Sequence, residues 1–258
     1  MKKEKKKIVS VALFFLLSLV LFAGCSSGSD GSSAASENTD TQQELASYEG
    51  SNEATDSQND AAESAVTYVN IFHYSKQAIF DQLTGYDSVT SEDAQYAVDN
   101  ITVDWNEVAL AAASSYIDTG NFSKQGLFDQ LTSQFDQFAP EEAQYAIDNI
   151  EVDWNDEALA AAESYLDMGG FSQQELLDQL TSTVADEFTQ DEAQYAIDNV
   201  DVDWNEQALL AAESYYDMGM TELNEIYNQL ISQYGEKFTA EQAQYAIDNL
   251  DPTTLNAQ

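Results

Sequence analysis

The sequence predicts an all-α protein organised as a tandem array of four three-helix repeats, and three observations support this. The letters A-Q-Y-A recur four times at intervals of 49, 50 and 50 residues, a spacing typical of repeat arrays. In the third copy, Ala193, Ala196, Ile197 and Val200 fall at i, i+3, i+4 and i+7, which places them on one apolar stripe of a helix. Only two prolines and no long alternating β-branched run occur, so strand signals are nearly absent.

Residues 1–24 are predicted to be a signal peptide. Five lysines precede an uncharged apolar run that is too short to span a bilayer comfortably. The run ends in a sequence that resembles a bacterial lipobox, although a phenylalanine stands where leucine is usual: Leu21, Phe22, Ala23, Gly24 and Cys25. In such proteins the cysteine carries a diacylglyceryl lipid and becomes the first mature residue. We therefore predict lipid attachment at Cys25, which would hold the chain stably at a membrane surface, and no other cofactor.

The mature chain would be strongly acidic. It keeps 3 lysines against 46 aspartates and glutamates, a formal charge of −43, and it has no arginine. Nucleic acid is excluded as a partner because phosphate binding depends on Lys and Arg. A cationic protein segment is the natural complement.

A polar segment follows the cysteine. Residues 25–60 are rich in Ser, Gly, Asp, Glu, Asn and Thr, and Leu45 and Tyr48 are the only large apolar residues between Ser26 and Asp60. Such a composition cannot bury enough apolar surface to order itself. We expect a disordered tether that lifts the repeats off the membrane.

The remainder divides into repeats at 61–106, 107–155, 156–205 and 206–258, and the last is predicted to be a capping repeat because it lacks the Val-Asp-Trp-Asn exit. Helix starts are marked by capping residues. The predicted N-caps are Asp104, Asp153, Asp203, Ser172, Thr189 and Thr239. Aromatic residues at the joints are predicted to pack between repeats, with Trp154 and Trp204 buried there: Trp105, Trp154, Trp204, Tyr96, Tyr145, Tyr195 and Tyr245.

Two motifs carry a family resemblance. They are F-T-x-x-x-A-Q-Y-A-I-D-N-x-x-V-D-W-N, from Phe188 to Asn205, and S-x-Q-x-L-x-D-Q-L-T, from Ser123 to Thr132. With them, the chain resembles the Ltp family of host cell surface-exposed lipoproteins of Gram-positive bacteria and their temperate phages. The resemblance implies helix-turn-helix-like modules on the outer face of a Gram-positive cell membrane. It also implies superinfection exclusion, in which a prophage-encoded lipoprotein engages the tape-measure protein of an incoming phage and stops DNA entry.

Other kinds of site are poorly supported. His73 is the only histidine, so the usual acid, base and nucleophile combinations are missing, and we predict neither enzymatic activity nor a small-molecule substrate. The acidic runs 148–153 and 198–203 invite a calcium interpretation, but they lack the EF-hand spacing and are explained by helix capping. Helix-turn-helix geometry could suggest sequence-specific DNA binding. The negative charge of the repeats opposes this, because it would repel the phosphate backbone of DNA.

Two functions of different classes therefore remain open from the sequence. One is an interaction protein that captures a basic segment, with the phage tape-measure protein as the family's example. The other is a structural or general cell-envelope lipoprotein whose acidic residues only solvate it and attract cations.

Overall fold

The computed structural model describes residues 44–251, which contain twelve α-helices and one pair of very short β-strands. The all-α class and the four three-helix repeats are thereby confirmed. In chain order the elements are β1 (Ala46–Ser47), α1 (Asp56–Phe72), α2 (Lys76–Gly85), α3 (Ser91–Asn100), β2 (Thr102–Val103), α4 (Trp105–Ile117), α5 (Lys124–Leu131), α6 (Pro140–Asn149), α7 (Trp154–Met168), α8 (Gln173–Thr181), α9 (Gln190–Asn199), α10 (Trp204–Asp217), α11 (Leu223–Leu230) and α12 (Ala240–Asn249). No helix in this range is long and apolar enough to cross a bilayer.

Each repeat starts earlier than its sequence pattern indicates. The predicted boundaries at 106/107, 155/156 and 205/206 fall inside the first turns of α4, α7 and α10, because the tryptophan before each boundary is already helical. The natural unit begins at the residue that caps the first helix. We call the units 1 to 4, with α1–α3, α4–α6, α7–α9 and α10–α12 as their helices.

The core of each unit combines small and large side chains on different helices. The first and third helices meet through fully buried alanines, such as Ala109 of α4 and Ala146 of α6. Small residues let two helix backbones approach closely. The second helix then contributes two large, fully buried side chains, Leu127 and Leu131 in α5. Units 1 and 2 share one continuous apolar core, whereas units 3 and 4 each have their own.

The tether prediction does not hold for residues 44–60. Ala46–Ser47 pairs with Thr102–Val103 in antiparallel register, and the side-chain oxygen of Asn70 accepts hydrogen bonds from the amides of Leu45 and Ala46, both at 2.9 Å. Helix α1 also begins at Asp56, capped by Thr55. Composition alone could not reveal this order, because the stabilising partners come from residues farther along the chain.

Candidate interaction surface

The turn between the second and third helices of each unit is fixed by a polar contact, which is partly buried in units 2 to 4 and exposed in unit 1. In unit 2 the hydroxyl of Tyr116 donates to Asp136 Oδ2 at 2.7 Å, and Gln130 Nε2 donates to the same oxygen at 2.8 Å. Burial raises the pKa of Asp136, and it is the largest cause of the raised pKa of Tyr116. The corresponding pairs are Tyr68 with Asp87, Tyr165 with Asp186, and Tyr215 with Glu236. This tyrosine–acid pair ties the turn to the first helix.

We call these turns the tip turns; they comprise residues 86–90, 132–139, 182–189 and 231–239. In every unit, the residue three positions before the start of the third helix has a left-handed backbone. These residues are Ser88, Gln137, Glu187 and Lys237. One large apolar side chain projects from each tip turn into solvent. These tip residues are Tyr86, Phe135, Val184 and Tyr234, and they are 84%, 71%, 90% and 102% exposed.

Three tip turns lie against the second helix of the preceding unit. Gln137 Nε2 of unit 2 donates to Asp81 Oδ2 of unit 1 at 3.0 Å. Ser123 Oγ of unit 2 donates to the carbonyl oxygen of Asp186 in unit 3 at 2.5 Å. At the last joint, the ammonium of Lys237 forms an ion pair with Asp178. At each of the three joints a tip turn therefore contacts the second helix of the preceding unit or the N-cap of that helix.

The joint between units 2 and 3 lacks the lysine that unit 4 supplies at the last joint. Glu187 occupies the position that Lys237 has in unit 4, and Asp129 occupies that of Asp178. Both line a cleft of about 370 Å³ together with Gly126 and Asp186. Asp186 Oδ2 is buried without a hydrogen-bond partner, and burial raises the pKa of this carboxyl.

The joint between units 3 and 4 is more closely filled. Glu175 stands where unit 2 has Gly126. Burial first, and the neighbouring Glu236 carboxylate second, raise the pKa of Glu175 to about 8. Tyr215 donates a hydrogen bond to Glu236, and its own pKa is raised to about 12, chiefly by burial. Burial and the neighbouring carboxylate therefore both favour the protonated form of Glu175.

All three lysines of residues 44–251 have an acidic or aromatic neighbour. Lys76 pairs with Asp99 at 2.7 Å, and Lys237 pairs with Asp178. Lys124 Nζ lies 5.6 Å from the ring centroid of Trp154, a favourable cation–π geometry. The described surface therefore presents many exposed carboxylates against three lysines, two of which are already paired with an aspartate.

The tryptophans lie at the joints, but their predicted burial is wrong. Trp105, Trp154 and Trp204 are each only half-buried, because each opens a first helix and covers only the edge of a core. Trp154 packs on the shared core of units 1 and 2, and Trp204 on the core of unit 3. Each ring thus bridges two consecutive units.

The repeated tyrosines are polar partners more than core residues. Tyr145 donates to Glu107 at 2.7 Å and Tyr245 to Glu206 at 2.6 Å. The Tyr96 hydroxyl lies 3.3 Å from that of Tyr48. Tyr195 is 38% exposed, and unit 3 has the shorter Asp156 where units 2 and 4 have these glutamates. These contacts join the first and third helices, or the N-terminal segment to α3.

The predicted capping residues occupy helix N-caps in the structure. Asp104, Asp153 and Asp203 each accept a hydrogen bond from the amide two residues later. Ser172, Thr189 and Thr239 accept from the amide three residues later, and the two threonines form capping boxes. Cys25, Leu21, Phe22, Ala23 and Gly24 lie outside the described residues.

Neither a metal centre nor a catalytic arrangement emerges from residues 44–251. No group of three or more His, Cys, Asp or Glu side chains in that range could hold a metal ion. His73 ends α1 with a left-handed backbone, and its Nδ1 lies 3.2 Å from Ser115 Oγ of unit 2. Burial lowers its pKa. This histidine contributes to the joint between units 1 and 2.

Comparison with known proteins identifies the family. The model of the host cell surface-exposed lipoprotein family, Ltp, matches residues 56–101, 104–150, 153–200 and 203–250. The chain belongs to this family. The four matches coincide with units 1 to 4 and place the protein in a family of lipoproteins exposed on the cell surface.

One solved structure is similar to part of the Ltp-family chain. It is that of Ltp, a superinfection exclusion protein from the Streptococcus thermophilus temperate phage TP-J34. The identity is 35% and the TM-score 0.37, over 38% of this chain and 99% of that one. No curated protein sequence matches the chain significantly.

Sequence reasoning missed the tyrosine–acid pairs and the tip residues. Each pair joins residues 19 to 21 positions apart, a separation that no helical or strand period predicts. A signal for the tip residues was present, because an apolar letter recurs three or four residues before the Val or Phe that precedes each third helix. That recurrence becomes meaningful only when the burial of each position is known.

Proposed function

We propose that this lipoprotein binds a cationic protein segment at the cell surface and thereby excludes superinfecting phages, the segment belonging to the phage tape-measure protein. A lipid on Cys25 would hold the array on the outer face of the membrane of a Gram-positive cell. A segment emerging from an adsorbed phage would then meet the array before DNA crosses the membrane. The family membership supports a place at the cell surface, and the acidic repeats support the choice of partner.

The observation that carries the proposal is the unbalanced charge of the array. Each described lysine already contacts an acidic or aromatic side chain, whereas most carboxylates remain exposed. Such a surface attracts a basic segment over distances of about a Debye length, ~10 Å at 0.1 M salt. An imbalance this large exceeds what solubility requires.

The test is phage infection of a susceptible host that expresses the full chain. Phage adsorption and DNA entry are measured separately, because exclusion of the proposed kind leaves adsorption normal and blocks entry. Cys25→Ser is the matched control, since it removes the lipid and leaves the repeats unchanged. Unchanged DNA entry across a broad phage panel would contradict the proposal and favour a structural role in the cell envelope.

A further inference from the structure

Four exposed apolar side chains lie in the corresponding turns of the four units. Single apolar residues on a surface are common and need no explanation. Here, however, Tyr86, Phe135, Val184 and Tyr234 recur at the same turn of every unit, and each is at least 71% exposed. The turn that presents each one is held by a tyrosine–acid pair. The array therefore displays apolar side chains at regular intervals on fixed turns.

Three inter-unit contacts connect the turns that carry these side chains to the preceding units. The contacts from Gln137 to Asp81, from Ser123 to Asp186, and from Lys237 to Asp178 set tip turns 2, 3 and 4 against α2, α5 and α8. We call the surface formed by the tip turns and second helices the tip row. Its second helices carry exposed carboxylates, Asp81 and Asp129.

The joint between units 3 and 4 supplies an internal example of what this surface holds. There a lysine of the chain itself, Lys237, pairs with Asp178. At the preceding joint the equivalent positions are Glu187 and Asp129, which line the open cleft of about 370 Å³. A cationic side chain from another molecule would find the same carboxylate there without competition from a lysine of the array.

We propose that the tip row is the surface that binds the partner, and that the partner is an amphipathic segment with lysine or arginine on one face and apolar side chains on the other. The apolar side chains pack on the tip residues, and the cations pair with the carboxylates between them. This inference rests on the proposed function, because it names the chemistry of the cationic partner. It adds that charge alone is insufficient for recognition, since burial of apolar surface gives an affinity that salt does not screen.

The test compares two synthetic peptides of about 20 residues, a length that spans ~30 Å as a helix. One carries lysines on one helical face and leucines on the other, and the second has serine in place of every leucine. Binding of each to the full chain in detergent is measured at about 0.1 M salt. We expect the leucine peptide to bind about tenfold more tightly or better, as expected when apolar anchors enter an interface.

Two sets of variants locate the effect. The first replaces the tip residues with serine: Tyr86→Ser, Phe135→Ser, Val184→Ser and Tyr234→Ser. The control replaces Met168 and Met218, which are 68% and 71% exposed at the ends of first helices, with serine. We expect the tip variant to bind both peptides equally, with an unchanged unfolding temperature, and the methionine variant to keep the preference for leucine.

Charge is tested with a second matched pair. Asp81→Asn and Asp129→Asn remove carboxylates from the tip row, and each of these aspartates accepts a hydrogen bond from the glutamine four residues earlier. Asp148→Asn and Asp198→Asn remove equivalent carboxylates from third helices, and these too accept from a glutamine four residues earlier. The substitutions in the tip row should weaken the binding of both peptides more than the substitutions in the third helices do.

The outcomes separate this inference from the proposed function. If the tip variant keeps the preference for leucine, or the methionine variant loses it equally, the tip row is not the binding surface, although cation binding stands. If neither peptide binds the wild-type chain, the proposed function falls with the inference. Conversion of a wild-type dimer to a monomer by the tip substitutions, or loss of binding to phosphatidylcholine vesicles, would make the row a self-association or lipid surface and overturn the inference.

Discussion

At the scale of single residues, Trp204 tests how the units are joined. Its ring covers the edge of the unit 3 core while it starts the first helix of unit 4. Because the side chain is half-buried, we expect Trp204→Ala to lower the free energy of unfolding by ~1–3 kcal/mol, less than the ~3–5 kcal/mol of a fully buried tryptophan. Chemical denaturation measures this difference. Trp204→Phe, which keeps part of the contact, should cost less, and equal losses in the two variants would contradict the packing role.

Cys25 carries the prediction of membrane attachment. Its lipid would come from the lipobox pattern at Leu21 to Cys25, and two acyl chains hold a protein stably at a membrane. Mass spectrometry of the mature protein should find a diacylglyceryl group on Cys25 as the first residue. A free thiol, or a mature terminus elsewhere, is incompatible with this account. Cys25→Ser should move the protein from the membrane fraction into the medium.

Glu175 gives a stability prediction that depends on pH. Its pKa in the folded protein is about 8, whereas its ordinary value is 4.5. The folded state therefore binds a proton more tightly than the unfolded state, so stability falls as the pH rises from about 5 to about 8 and stays lowered above that range. Glu175→Gln should remove much of this dependence, so thermal denaturation should show that the variant is stabilised relative to wild type more at a pH of about 9 than at a pH of about 5.

Unit 2 provides a reference for that measurement, because it has Gly126 in the equivalent place. Gln125→Glu adds an exposed carboxylate one residue away on α5 and replaces the hydrogen bond to Asp129 by a repulsion that solvent screens, so it should change the pH dependence of stability far less than Glu175→Gln does. Suppose instead that Glu175→Gln and the wild type lose stability in parallel as the pH rises. The pH dependence then does not come from a raised pKa of the Glu175 carboxyl.

At the scale of elements, the starts of α6 and α9 differ in whether the N-cap side chain can accept a hydrogen bond. Thr189 caps α9 and accepts a hydrogen bond from Glu192 N at 3.3 Å, whereas Ala139 holds the same place before α6 with nearly the same backbone and no side-chain acceptor. Removing such a cap costs ~1 kcal/mol. We expect Thr189→Ala to destabilise by about that amount and Ala139→Thr to stabilise by up to as much. Denaturant unfolding checks both, and no change in either variant would contradict the capping role.

The helices could be predicted from the sequence because their signals are local. Capping residues such as Asp153 and Ser172 need only the amides two or three positions ahead. The N-terminal segment could not be predicted, because Ala46 is ordered by Asn70 and by Val103. Long-range contacts of this kind override a polar local composition.

At the scale of the whole molecule, the repeat period and the charge imbalance were visible in the sequence, but the candidate surface was not. The tip row exists because contacts such as that from Gln137 to Asp81 bring together residues 56 positions apart. The same limit applied to Trp154 and Trp204, whose place at the joints was predictable while their half-burial depended on the neighbouring unit. Periodicity reports which residues share a helix face, and it carries no information about how consecutive units meet.

The central claim is that the acidic array recognises a cationic tape-measure segment. The most direct test measures binding of the detergent-solubilised full chain to the tape-measure protein of a susceptible phage as salt increases. We predict clear binding at about 0.1 M salt that weakens strongly towards about 1 M, because the Debye length falls from ~10 Å to ~3 Å. No binding at low salt, or an affinity that salt does not change, would contradict the claim.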